Sequence, residues 1–122
     1  MLQFVEMDAQ VTLFEQMEDQ GGPVVLINKF TVSADEADQL IAAWAEDAAV
    51  MKKQPGYISA QLHQGIAGSG VFVNIAVWES AAHFKRAYEN PEFLSHLDRY
   101  PADSVASPHL FRKVAVPGIC IA

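Results

Sequence analysis

Cysteine is nearly absent: 122 residues contain one, Cys120, two places from the end. An internal disulfide and a cysteine-based metal cluster are thereby excluded. Basic residues are scarce too. Eight Lys and Arg face fifteen Asp and Glu, for a net charge of −7. A nucleic-acid partner is not expected, because phosphate binding needs clustered positive charge. No apolar run reaches transmembrane length, and no basic, apolar, small-residue leader opens the chain. The expectation is a cytoplasmic protein without a membrane role. The four histidines, His63, His83, His96 and His109, stand in no H-x-x-x-H or H-E-x-x-H spacing, so no metal site is legible. Dinucleotide-binding and phosphate-loop glycine patterns are missing, as is a nucleophile elbow.

What is present is a single domain's worth of apolar sequence, 51% hydrophobic against 19% charged. It is organised around Val71-Phe72-Val73-Asn74-Ile75-Ala76-Val77-Trp78. Side chains alternate across a strand, and here both sets are mostly apolar. A short chain has helices for one cover only, so a second copy, as a homodimer, is the simplest cover for the other face. Asn74 interrupts the apolar set. Either a backbone group satisfies it or it is aimed into a pocket, since an unpaired buried amide costs about 1–3 kcal/mol.

Residues 1–22 form an acidic extension holding Glu6, Asp8, Glu15, Glu18 and Asp19 with no Lys or Arg. Met7, Val11, Phe14 and Glu18 share a helical face there, flanked by Leu13 and Met17. A short amphipathic helix ended by Gly21-Gly22 is expected, with Val11–Phe14 as an edge strand the alternative. Residues 23–122 form the main domain. Val24 to Val32 is a strand with Asn28 among large apolar side chains, the same interruption a second time. Ser33-Ala34-Asp35-Glu36 has the form of a capping box, predicting a helix from Ala34 to about Lys52. Its apolar positions are Ala37, Leu40, Ile41, Trp44, Ala48 and Met51, and Trp44 reads as core. Pro55-Gly56 ends it. Tyr57 to His63 is a strand that turns through Gly65–Gly70 into the central one. A helix with Phe84, Ala87 and Tyr88 follows, broken at Asn90-Pro91 into another with Phe93, Leu94 and Leu97. Pro101 to Pro108 reads as a loop, and Leu110, Arg112, Val114 and Val116 as the last strand. The order β-α-β-β-α-β is the ferredoxin-like, antiparallel α+β pattern.

Ile27-Asn28-Lys29-Phe30-Thr31-Val32, Pro55-Gly56-Tyr57, and Asn74-x-x-x-Trp78-Glu79-Ser80 followed by Phe84 occur in a shared order and spacing. In these the chain resembles the antibiotic biosynthesis monooxygenase family, in particular its nogalamycin-type anthrone oxygenases. The resemblance runs from about Val24 to Val116. It implies a dimeric α+β barrel made by two ferredoxin-like sheets, with a pocket between sheet and helices. It also implies oxidation of a small aromatic substrate by O2 to a quinone, without metal, flavin or other cofactor. Asn28, Asn74 and Trp78 match the residues that family uses for catalysis. Phe30, Phe72, Leu62, Phe84, Tyr88 and His96 are the implied substrate-binding set. The actinorhodin-type member has tyrosines where this chain has Leu62 and Phe84. Two other functions stay open. Haem-degrading relatives place an asparagine and a haem-ligating histidine near Asn28 and His96, although Ala87 stands where they carry tryptophan. A non-catalytic module binding quinones would keep the pocket without turnover.

Overall fold

The computed structural model describes residues 2–122. Its strands are β1 (Gln3–Phe4), β2 (Val24–Thr31), β3 (Tyr57–Gln64), β4 (Val71–Trp78) and β5 (Val105–Phe111). Its helices are α1 (Leu13–Gln16), α2 (Ala37–Met51), α3 (Ala81–Tyr88) and α4 (Pro91–Ser95). The sheet order is β1-β5-β2-β4-β3, antiparallel except where β1 joins β5. The four main strands are thus arranged as in a ferredoxin-like fold. Within one chain the sheet stays open and is not closed into a barrel. Among the described residues no helix is long and apolar enough to cross a membrane.

The central stretch forms β4 over the expected residues, pairing with β2 on one side and β3 on the other. Its even side chains, Phe72, Asn74, Ala76 and Trp78, are buried beneath the helices. Its odd side chains face the other way, and that outer face is only partly covered. Val25, Ile27, Val73 and Val77 are half-buried there, while Ile75 and Phe111 are each 39% exposed.

Several local expectations are corrected. The Ser33–Glu36 capping box does not form: Ser33 makes no side-chain cap bond, and Ala34–Glu36 is a turn of 3-10 helix before α2 begins. Ser80 and Asn90 cap α3 and α4, accepting from the backbone N–H of His83 and Glu92. Gly56 turns the chain out of α2 at φ +87, and a Cβ there would stand 2.3 Å from His83. The last strand begins earlier than expected and runs through Pro108. Ser104 and Ala106 carbonyls accept from Gln3 and Val5, and the Leu110 N–H donates to Gln16. Even positions of β5 therefore turn their backbone groups toward the lead-in, so proline at 108 removes no bond to β2. Arg112, Val114 and Val116 lie beyond the strand.

The lead-in is not one amphipathic helix. It contributes β1, whose hydrogen bonds extend the sheet, and the four-residue α1. Leu2, Leu13 and Met17 are its buried residues, whereas Met7, Val11 and Phe14 are exposed. Its acids meet cations of the body, Glu18 with Lys85 and Asp19 with Arg112, both at 2.7 Å and both exposed. Such surface pairs contribute little each.

Candidate active site

Asn28 and Asn74 are direct partners across the β2–β4 ladder, on the face the helices cover. The row they make divides the core. One half gathers Val24, Leu26, Ala76, Trp78, Ala81, Phe84 and Ala87, with Tyr57 and Tyr88 packed against it. The other gathers Phe30, Val32, Leu40, Ala43, Phe72, Leu97 and Tyr100, with Trp44 and Phe93 against it. Between the halves lies a cavity of about 70 Å³. Its floor includes Asn28, Asn74 and Trp78, its helix-side wall Trp44, Asp47, Met51, Phe84 and Tyr88. Leu2 and Phe4 of the lead-in add to the wall.

Trp78 is 1% exposed and held edge-on by Tyr57 and Phe84, with ring centroids 5.6 and 5.9 Å away. This packing fixes the indole plane. Its Nε1 is buried without a hydrogen-bond partner in the protein, as are Oδ1 of Asn28 and Oδ1 of Asn74. The remaining buried, unpartnered side-chain atoms among the described residues are both carboxyl oxygens of Asp47 and Nδ1 of His96. All belong to the cavity lining or, for His96, to a residue whose Nδ1 lies 3.4 Å from Asp47 Oδ1. Buried polar groups are nearly always satisfied, and each orphan costs on the order of 1–3 kcal/mol. Their confinement to one place marks it as built for something other than stability.

Asp47 is the feature sequence reasoning missed. It is 4% exposed and lies on the inner stripe of α2 with Leu40, Ala43 and Val50. A stripe through positions 40, 43, 47 and 50 puts an acid at a buried place, which is the available sequence signal. Burial pushes its carboxyl up to about 6, against the opposing pull of Tyr100 and His96. His96 and Tyr100 stand close, yet neither carboxyl oxygen has an aligned hydrogen bond. Burial and Asp47 together raise Tyr100, which stays protonated.

The expected residues are thus distributed as follows. Asn28, Asn74, Trp78, Phe30, Phe84 and Tyr88 line the cavity, and so does Trp44, expected only as core. Phe72 lies inside the second core half, Leu62 flanks that half, and His96 stands behind Asp47; none of the three lines the cavity. Among the described residues, no three His, Cys, Asp or Glu side chains converge as a metal-ion site requires.

The sequence profile for antibiotic biosynthesis monooxygenases matches residues 23–99. Deoxynogalonate monooxygenase of Streptomyces nogalater is 34% identical over 88 residues, 72% of this chain and 74% of that protein. The crystal structure of SnoaB, a cofactor-independent oxygenase from Streptomyces nogalater, superposes with a TM-score of 0.72 at 30% identity, over 80% of this chain and 99% of that one. A protein from Shewanella loihica PV-4 superposes at 0.67 with 34% identity, over 80% and 100%. On the match to residues 23–99 and the shared ferredoxin-like sheet, this chain belongs to the antibiotic biosynthesis monooxygenase family.

Proposed function

We propose that the cavity oxidises an electron-rich polycyclic phenol, of the anthrone type, to a quinone with O2 and without a cofactor. The observation that carries this reading is the set of unpartnered polar atoms on Asn28, Asn74, Trp78 and Asp47, four residues that line one largely apolar cavity. The relative from Streptomyces nogalater, itself a cofactor-independent oxygenase, supports it.

Triplet oxygen reacts slowly with closed-shell molecules. A substrate without a cofactor must therefore donate the electron itself. An anthrone does so once a proton leaves its methylene group, because the carbanion is delocalised as a phenolate. One electron passes to O2, and the radical and superoxide combine into a C–O bond. Protonation gives a hydroperoxide. Loss of the second C–H proton with O–O cleavage leaves the carbonyl and water. The balance is one methylene and one O2 in, one ketone carbonyl and one water out. In this reading Asn28 and Asn74 donate to the developing oxyanion through their Nδ2–H groups, an effect worth several kcal/mol in a dry site. Trp78 offers a rigid ring for stacking and an N–H for the peroxide. The cavity has room for several waters rather than for a whole polycycle, so the aromatic wall must yield as substrate enters.

Incubating the purified protein with 1,8-dihydroxyanthrone in air tests the reading. Quinone absorbance should rise without added cofactor. The rate should fall on the order of 100-fold in Asn74→Ala and clearly in Trp78→Phe. Absence of turnover across a panel of anthrones and hydroquinones, with product quinones still bound, would favour a binding module.

The partly exposed outer face, with Val25, Ile27, Val73, Ile75 and Val77, also suits a homodimer in which two sheets cover each other. Light scattering giving twice 13.4 kDa would support this assembly.

A further inference from the structure

The oxidation proposed above needs a proton acceptor, and Asn28, Asn74 and Trp78 do not supply one, since amides and indoles are not bases near neutral pH. We propose that Asp47 takes the substrate proton that starts the reaction, with His96 and Tyr100 as positioning residues behind it. This inference rests on the proposed oxidation and names the residue that begins it.

Asp47 reaches the cavity from α2, opposite the sheet that carries the two asparagines. Both its oxygens are buried and neither accepts an aligned hydrogen bond within the protein, so a lone pair is free to accept. The groups around it are few. His96 comes from the end of α4, with Nδ1 3.4 Å from Oδ1. Tyr100 follows the 3-10 turn Leu97–Arg99 and presses its hydroxyl toward the same carboxyl. Glu46 is the neighbouring acid on α2, exposed and engaged by Arg99. A charged carboxylate so enclosed is costly unless it is paired. The His96 ring and the Tyr100 hydroxyl offer partial compensation, leaving a carboxyl of raised proton affinity. A raised affinity suits a base that takes a proton from a weak acid and returns it to the hydroperoxide anion. The step balances: the C–H bond breaks, its electron pair stays on the ring system, and the proton forms an O–H bond on Asp47. That proton then goes to the distal peroxide oxygen, restoring the carboxylate, which takes the second C–H proton as the O–O bond breaks and passes it to the departing hydroxide, giving water and the free carboxylate again.

Steady-state oxidation of 1,8-dihydroxyanthrone by the wild type, Asp47→Asn and Asp47→Glu, from pH 4.5 to 9, tests the assignment. Binding of 9,10-anthraquinone, read by quenching of tryptophan fluorescence, is measured alongside. The wild-type kcat should rise about tenfold per pH unit on the acid side and level off above the carboxyl's range near 6. In Asp47→Asn, kcat should fall on the order of 100-fold and lose that acid limb, with anthraquinone binding within about threefold of wild type. Asp47→Glu should recover part of the rate together with the limb. His96→Gln should shift the limb without removing it. Wild-type turnover with Asp47→Asn equally fast and equally pH-dependent would overturn the assignment alone. Loss of anthraquinone binding in both Asp47 variants would mark the residue as packing and overturn it as well. A wild type that turns over nothing would remove the oxidation reading, and the assignment with it.

Discussion

The two halves of the core on either side of the Asn28–Asn74 row are built to different ends. The Trp78 half is an aromatic lattice: Tyr57, Trp78, Phe84 and Tyr88 meet edge to face or tilted, and the buried indole N–H lacks a partner. The Tyr100 half has a stacked pair, Phe30 and Tyr100, with centroids 5.6 Å apart. Beside it sits a buried acid next to a half-buried histidine. The difference teaches where stability is gathered and where some of it is given up. The first half holds the Trp78 indole still. The second holds a buried acid that its neighbours satisfy poorly, the group to which the proposed proton transfer is assigned.

Substitutions that treat the halves oppositely sharpen this contrast. Phe84→Ala in the first half should cost about 3–5 kcal/mol in a urea melt, because it opens a void against Trp78. If the loss were under about 1 kcal/mol, the lattice would not be the rigid half. Asp47→Asn in the second half should do the reverse at alkaline pH. The folded carboxyl titrates near 6 against a usual value of 3.8, so the folded state binds its proton more tightly than the unfolded chain. Stability therefore drops as pH rises from about 4 through 6, and the penalty is complete above that window. Asp47→Asn should be more stable than wild type by roughly 3 kcal/mol at pH 8, with the advantage gone at pH 4. Equal melting curves at both pH values would remove the distinction. The smallest effect belongs to the lead-in. Phe4→Ala strips part of the cavity wall from a residue that is 44% exposed. Stability should change by about 0.5 kcal/mol or less, while KM for a polycyclic substrate rises severalfold.

Much of this arrangement is legible in the sequence, for identifiable reasons. β4 and β2 carry long alternating runs of β-branched residues, so their registers put Asn28 and Asn74 on one face without ambiguity. Ser80 and Asn90-Pro91 are local signals that need no tertiary help. The failures come where a distant partner decides. Pro108 reads as a strand breaker until the β1 edge shows that its missing N–H faces away from β2. Leu13 and Met17, rather than Phe14 and Val11, turn inward because α1 is pinned to β5 through Gln16, whose Oε1 accepts from Leu110. Asp47 stays hidden when the apolar stripe of α2 runs through Ile41 and Ala48 instead of Ala43 and Val50. Trp44 is both wall and core, a distinction periodicity cannot make.

Everything proposed for this cavity requires that O2 oxidise a carbanion-forming aromatic there without a cofactor, steered by the paired asparagines. Turnover of 1,8-dihydroxyanthrone under 18O2, by protein dialysed against chelator and free of flavin absorbance, tests it most directly. The expected result is one O2 consumed per quinone, one labelled oxygen in the new carbonyl, and a roughly 100-fold slower reaction in Asn74→Ala. A product carbonyl labelled from water instead, or an Asn74→Ala protein as fast as wild type, would contradict it.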